Sequence, residues 1–234
     1  MEIRTDGRYI LTGAAGGIAA AVIDVFAGAG ARLALVDINA DVVRERARAV
    51  DGVALEADLT DPDAVRVVVE AARQALGGID GLIHTTGGFA MARAHEVDTS
   101  HYERLLDLNL RSLVVTVAEL LPTFIEQRRG FLAAFSALPG WHRGGGAGMS
   151  VYAAAKAGVA AYLHAVAEEV AEHGISVSVV YPMGVVDTPA NRESMPDTDP
   201  AGWIDPAEIG RALLFAATRE ARGRVSDLPI RSQG

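Results

Sequence analysis

The amino-acid sequence predicts an α/β protein, a doubly wound parallel sheet with helices on both faces, as a single domain over residues 1–234. Three observations carry this expectation. Short apolar runs alternate with longer stretches of helical periodicity along the chain. Most of those runs are apolar on both alternating faces, which suits strands covered on two sides. Half of the 234 residues are hydrophobic, enough for one substantial core, and no tandem repeat or low-complexity linker divides the chain.

The first strand, Arg8–Thr12 (RYILT), runs into TGAAGGIAAAV, residues 12–22, and on into a helix over Gly17–Ala29. Glycines at 13, 16 and 17 let a backbone approach a pyrophosphate, and free N–H groups at the helix start can receive its charge. Taken alone, such a turn is also an ordinary strand–helix connection. The second strand, Arg32–Asp37 (RLALVD), ends on a carboxylate. Asp37 can accept hydrogen bonds from adenosine ribose hydroxyls and would repel a 2′-phosphate; its plainer reading is a solvated strand end. Ile38 and Asn39 supply no cation for such a phosphate, which favours NAD(H) over NADP(H).

A helix over Ala40–Val50 leads to the third strand, Val53–Asp58. Asp61-Pro62 then opens a helix over Pro62–Leu76, with Asp as cap and Pro in the first turn. The fourth strand is Gly81–Thr85 (GLIHT), followed by one long helix over Thr99–Gln127. Gly130–Phe135 and Ile175–Tyr181 are the fifth and sixth strands, with a helix over Val151–His173 between them. Residues 192–203 (RESMPDTDPAGW) are polar and broken by proline, and read as a loop or lid, within 188–204, beside a late strand. Long loops are uncommon without a function.

Composition excludes several classes of partner. The net charge of −9, without a cluster of Lys and Arg, argues against nucleic acid. With no cysteine there is no disulfide framework or thiolate metal site, and the six histidines show no metal-binding spacing. No run of about 18 uninterrupted apolar residues appears, so no membrane span is expected. The N-terminal segment lacks the basic and apolar regions of a signal peptide, and a cytoplasmic location is expected.

In SVYAAAKAGVAAYL, residues 150–163, a tyrosine and a lysine stand four apart in a run of alanine. At helical spacing Tyr152, Lys156, Val159, Leu163, Val166 and Val170 form one stripe facing the sheet. An unpaired ammonium is expensive there, and ribose hydroxyls of a cofactor together with the Tyr152 phenol would satisfy it. The charge would in turn lower the phenol's pKa, fitting it to exchange a proton while hydride moves to or from nicotinamide. The alternative is a lysine snorkelling to solvent beside a gap-filling tyrosine.

Thr12-Gly13-Ala14-Ala15-Gly16-Gly17-Ile18, Asp37, Asp58-Leu59, Asn109 and Tyr152…Lys156 occur in the order and spacing of the short-chain dehydrogenase/reductases, which the chain resembles over nearly its whole length. The resemblance implies a Rossmann-like fold and an NAD(P)-dependent oxidoreductase. It implies that Gly13, Ala15, Gly17 and Ile18 line the pyrophosphate, and that Asp58 and Leu59 flank adenine. Asn109 would hold a helix kink and a water leading from Lys156, while Pro182 and Thr188 would close over the nicotinamide end. Tyr152 would be the acid/base, with Lys156 tuning it and binding ribose.

The chain also departs from that family's pattern. Ala19 replaces the last glycine of the turn. His84-Thr85-Thr86-Gly87 stands where the family has NNAG, so Thr85 and Gly87 take its cofactor-side places. The loop between Pro182 and Thr188 is one residue longer than usual. The family's catalytic serine falls on Ala137, and Ser136, one residue early on a strand, would face away unless the strand end twists or the GGGAG insert at 144–148 shifts the register. Alanine at that position, the late loop from Asp187 to Trp203, and Gly87-Gly88-Phe89 resemble quinonoid dihydropteridine reductase, one branch of the family. The substrate would be a carbonyl, alcohol or quinonoid small molecule, held by Phe89, Met91, the Trp141-His142-Arg143 segment and the late loop. Small residues Ala154, Gly158, Ala161 and Ala165 suggest, with the family's habit, a homodimer or homotetramer. The competing reading is a dinucleotide-binding sensor or scaffold with weak turnover.

Overall fold

The computed structural model describes residues 6–141, 146–220 and 223–232. The strands are β1 (Arg8–Thr12), β2 (Arg32–Asp37), β3 (Val53–Glu56), β4 (Gly81–His84), β5 (Gly130–Phe135), β6 (Ile175–Pro182) and β7 (Asp227–Ile230). They form one parallel sheet in the order β3-β2-β1-β4-β5-β6-β7. The chain winds outward from β1 to β3, then returns to lay β4 on the other side of β1. The switch between β1 and β4 opens a crevice beyond the carboxyl ends of the strands.

Helices α1 (Gly17–Gly28), α2 (Ala40–Ala49), α3 (Pro62–Leu76), α4 (Thr99–Leu106), α5 (Ser112–Gln127), α6 (Leu138–Trp141), α7 (Ser150–Glu169), α8 (Pro189–Ser194) and α9 (Pro206–Ala217) connect the strands. Alternate strand residues supply two cores, one on each face of the sheet. Leu11, Leu35 and Ile83 pack beneath Val22 and Phe26 of α1, Val43 of α2 and Leu213 of α9. On the other face Ile10, Leu82 and Leu132 pack beneath α3, α5 and α7, through Val69, Phe124 and Leu163 among others. The predicted doubly wound α/β, Rossmann-like sheet with helices on both faces is the architecture observed.

Local sequence explains the clean helix starts. Asp61 accepts from Asp63 N ahead of Pro62, and Asp205 accepts from Ala207 N ahead of Pro206.

Several boundaries differ from those the sequence predicts. β3 stops at Glu56 because Asp58 turns to bond Thr60, and β4 stops at His84. The predicted single helix over Thr99–Gln127 is interrupted by a π-turn over Asp107–Arg111. The last predicted helix ends at Glu169, before a short 3₁₀ turn over Ala171–His173. The late polar segment holds α8 and a 3₁₀ turn over Pro200–Gly202 rather than a bare loop. By length and composition alone the 29 residues Thr99–Gln127 are long and apolar enough to cross a membrane, a test that core helices also pass. Here Leu113, Val117, Leu120 and Phe124 are instead buried in the core under the sheet.

Candidate active site

The glycine turn follows β1. Gly13 has φ +66°, and a Cβ there would stand 2.5 Å from Thr86 N. A Cβ on Gly17 would meet Thr188 Cβ at 2.8 Å, so a side chain would close the crevice edge. Helix α1 begins with no side-chain cap and no acidic residue in its first turn. Its leading N–H groups are left for a ligand at the crevice, where Gly17 and Ile18 line the wall.

Asp37 reaches across from β2. Its Oδ2 accepts from Ala15 N and its Oδ1 from Asn39 N, both at 3.0 Å. The turn is held from a second side by a residue that sequence reasoning passed over. The Arg46 guanidinium, on α2, donates to the carbonyls of Ala14 and Gly16. Burial lowers the Arg46 pKa against the pull of Asp37 and other acids. An arginine in the last turn of a helix, where basic residues are ordinary, carries no sequence signal for this contact. Farther out, the Asp58 carboxylate accepts from Thr60 N and Thr60 Oγ1, and the Leu59 side chain is buried in the core.

Thr85 Oγ1 donates to the carbonyls of Thr12 and Gly13, tying β4 to the turn. The preceding His84 is buried, and its hydrogen bonds define its tautomer. Ser112 Oγ donates to Leu108 O at 2.8 Å, so it can only accept from His84 Nε2, 3.1 Å away. Nδ1 is then the acceptor for Thr12 Oγ1 at 2.9 Å. Burial first, and the nearby Lys156 charge second, push the His84 pKa down to about 3. A neutral imidazole thus joins β1, β4 and the start of α5.

The π-turn presents Asn109. Its Nδ2 donates to Leu105 O and Gly88 O, each at 2.9 Å, while Oδ1 accepts from Gly88 N at 3.3 Å. These bonds pin the helix interruption to the loop after β4. A Cβ on Gly87 would lie 2.8 Å from Asn109 Oδ1 and 3.2 Å from Lys156 Nζ, which places the three side by side.

Lys156, Val159, Leu163 and Val166 form the buried stripe of α7. The Lys156 ammonium donates to Phe135 O at 2.9 Å and lies 5.8 Å from the centroid of the Tyr152 ring. Burial lowers the ammonium pKa to about 8 and pushes the Tyr152 phenol up to about 12. This reverses the expectation of a phenol made acidic by its neighbour. Nζ is turned to the Phe135 carbonyl, and desolvation of the phenolate dominates.

Ser136 is buried, and its hydroxyl donates to Lys156 O at 2.8 Å rather than into the crevice. Ala137 lines the wall beside it.

Gly17, Ile18, Thr85, Gly87, Asn109, Ser136, Tyr152, Lys156, Pro182 and Thr188 border a single cleft of about 810 Å³. Gly13, Ala15 and Asp37 stand at the neighbouring turn, and Asp58 and Leu59 lie farther out. Phe89 meets Tyr152 edge-on at 5.0 Å, and Phe89 and Met91 line the mouth with Val185 and Met195 of the late segment. Trp141, expected at the substrate, packs on Tyr181 at 4.5 Å instead, away from the cleft lining. His142 and Arg143 lie outside the described residues. The uncapped start of α1, the edge kept open at Gly17, and the buried, unpartnered Thr86 Oγ1 fit a dinucleotide.

The family model for short chain dehydrogenases matches residues 8–199. The chain belongs to that family of oxidoreductases. It is 26% identical over 234 residues to an uncharacterized oxidoreductase of Staphylococcus aureus strain MW2, covering 99% of both chains. It is 25% identical over 232 residues to another from Staphylococcus saprophyticus, covering 97% of each. In fold it is similar to the crystal structure of gox2181, with TM-score 0.87 and 23% identity over 97% of this chain and 96% of that one.

Proposed function

We propose that this chain is an NAD(H)-dependent reductase of a small molecule bearing a carbonyl or quinonoid group, able in reverse to oxidise the corresponding alcohol. One observation carries the reading: Tyr152 and Lys156 share a cleft with Asn109 and the open start of α1. A reduced nicotinamide bound there would supply the hydride. Gly17, Ile18 and Thr188 would hold its phosphate and amide end, and Lys156 its ribose. Tyr152 keeps its proton at neutral pH, since burial raises its pKa to about 12, and is loaded as the acid for reduction. Lys156 places a positive charge beside the reacting end, and Asn109 fixes the π-turn at its back.

The preference for NAD(H) over NADP(H) is supported by Asp37 at the glycine turn, where its charge opposes a 2′-phosphate. Arg46, the nearby cation, is committed to the Ala14 and Gly16 carbonyls. A cytoplasmic location and a homodimer or homotetramer complete the proposal. The exposed Ala154, Ala161 and Ala165 of α7 support the assembly, whereas Gly158 is packed near Leu110. Light scattering in solution tests it.

A second reading, a dinucleotide sensor with weak turnover, is favoured by Ala137 and by the inward Ser136 hydroxyl. Tyr152→Phe separates the two. The reductase reading expects a loss of turnover of about a hundredfold or more with cofactor affinity kept. Turnover absent in wild type and unchanged in the variant, with NADH still bound, leaves the sensor.

A further inference from the structure

The polar side chains around the cleft are turned away from it. Thr85 Oγ1 donates to Thr12 and Gly13, Asn109 is saturated by Gly88 and Leu105, and Ser136 donates to Lys156 O. On the late segment Asn191 Nδ2 donates to Val186 O, and Ser194 Oγ to Asn191 O. Among the described residues no hydrogen bond takes up the Tyr152 hydroxyl, and Lys156 is the one charged side chain in the lining. Lys156 and Thr188 lie at the cofactor side in the reading above. Among the described residues, what remains for a substrate is one phenolic side-chain donor in an otherwise apolar chamber.

The chamber's walls narrow the choice further. Phe89 stands edge-on to the reacting phenol and is 57% exposed, so its ring is free to meet a second aromatic group. Met91, Met149 and Met195 supply flexible thioethers around it, a surface that adapts to flat aromatic shapes. Among the described residues, a carboxylate entering this space would find no cation of its own, and it would lose its hydration.

We infer that the substrate is an uncharged, largely apolar aromatic ketone made electron-poor by a neighbouring acyl group, and that anionic 2-oxo acids are rejected. The inference rests on the reductase reading and deepens it. The carbonyl carbon accepts hydride from the reduced nicotinamide, the C=O π pair moves onto oxygen, and that oxygen takes the Tyr152 proton. The ketone is reduced by two electrons to an alcohol, the nicotinamide is oxidised, and Tyr152 recovers its proton from solvent. A missing second donor to the developing oxyanion costs roughly 10²–10³ in rate, and an electron-withdrawing acyl neighbour offsets it.

Methyl phenylglyoxylate and phenylglyoxylate test this, because they share the reacting ketone and differ in charge. With NADH and the full chain, the ester is expected to exceed the acid in kcat/KM by at least about a hundredfold. Equal rates, or preference for the acid, overturn the inference and leave the reductase reading standing. If neither is turned over, calorimetry with acetophenone and benzoate decides. Tighter binding of acetophenone by about tenfold or more upholds the charge exclusion and equal or tighter binding of benzoate overturns it, while the reductase reading is decided separately by Tyr152→Phe. Phe89→Ala is expected to raise KM for the aryl ester about threefold to tenfold more than it raises that for methyl pyruvate. An aryl preference that survives this substitution overturns the aromatic assignment.

Discussion

Ser136 and Lys156 are joined twice across the strand–helix interface. The Ser136 hydroxyl donates to the Lys156 carbonyl at 2.8 Å, and the Lys156 ammonium donates at 2.9 Å to the carbonyl just before Ser136. The serine thus holds the helix that carries the lysine, and Ala137 is the residue facing the cleft.

This relationship separates two adjacent substitutions. Ser136→Ala is expected to cost about 0.5–1.5 kcal/mol of stability, one buried hydrogen bond, while changing kcat/KM less than about threefold. Ala137→Ser adds a hydroxyl to the wall of the cleft that Tyr152 also lines. It is expected to raise kcat on an unactivated ketone by about tenfold to a hundredfold. Thermal unfolding and steady-state kinetics on the two variants check both halves. A large kinetic loss in Ser136→Ala would show that its hydroxyl turns to the substrate.

Lys156 sets a pH dependence. Its charged form is disfavoured by burial, with a pKa of about 8 against an ordinary 10.5. As pH rises through about 8 the ammonium loses its proton, and reduction should slow while Tyr152, near 12, remains protonated. Stability moves the other way. Between about 8 and 10.5 the unfolded chain holds the proton that the folded chain has released, so this lysine's contribution to stability rises with pH. A pH profile of kcat/KM should therefore fall across a range where denaturant titration shows no loss from this residue. Lys156→Met, which removes the titration, should flatten both.

His84 gives the opposite window. Its neutral form is required by the Thr12–His84–Ser112 chain of hydrogen bonds, and its pKa is about 3 against an ordinary 6.5. Below pH 6.5 the unfolded chain takes up a proton that the folded chain refuses. Stability should fall with acid by up to about 1.4 kcal/mol per pH unit toward pH 3. His84→Asn is expected to lessen that slope and preserve more activity than His84→Ala, because an amide can donate and accept in place of the imidazole. Acid unfolding followed at several denaturant concentrations measures it. An unchanged slope in His84→Asn would mean that other groups control acid sensitivity.

These residues also show where sequence patterns stop. The stripe from Lys156 to Val166 was readable because helical periodicity and burial are one pattern, and Asp61-Pro62 marked α3 through cap chemistry. The same Asp-Pro signal at Asp205-Pro206 opens α9, yet the polar run before it masked the helix. β7 was hidden for another reason. Four residues containing Pro229 at the sheet edge need little apolar character to pair with β6. Asn109 was legible as a kink, but a π-turn depends on its side chain meeting Gly88, a contact between segments far apart in the chain. The direction of the Tyr152 shift was missed because the sequence does not show that Lys156 Nζ has the Phe135 carbonyl for a partner.

Arg46 offers the sharpest separation of the two dinucleotides. Its guanidinium bridges the carbonyls of Ala14 and Gly16 from α2, fixing the turn that leads into α1. Arg46→Ala is expected to loosen the turn for either cofactor, so that NADH and NADPH both weaken by about tenfold. Lys in its place should recover little, since one ammonium does not reproduce a fork spanning two carbonyls. Asp37→Asn, by contrast, should narrow the gap between the cofactors by removing the charge that opposes a 2′-phosphate. Fluorescence titration of wild type and the three variants with each nucleotide distinguishes these effects. A loss in Arg46→Ala confined to NADPH would make the guanidinium a ligand for the 2′-phosphate and reverse the preference assigned to Asp37.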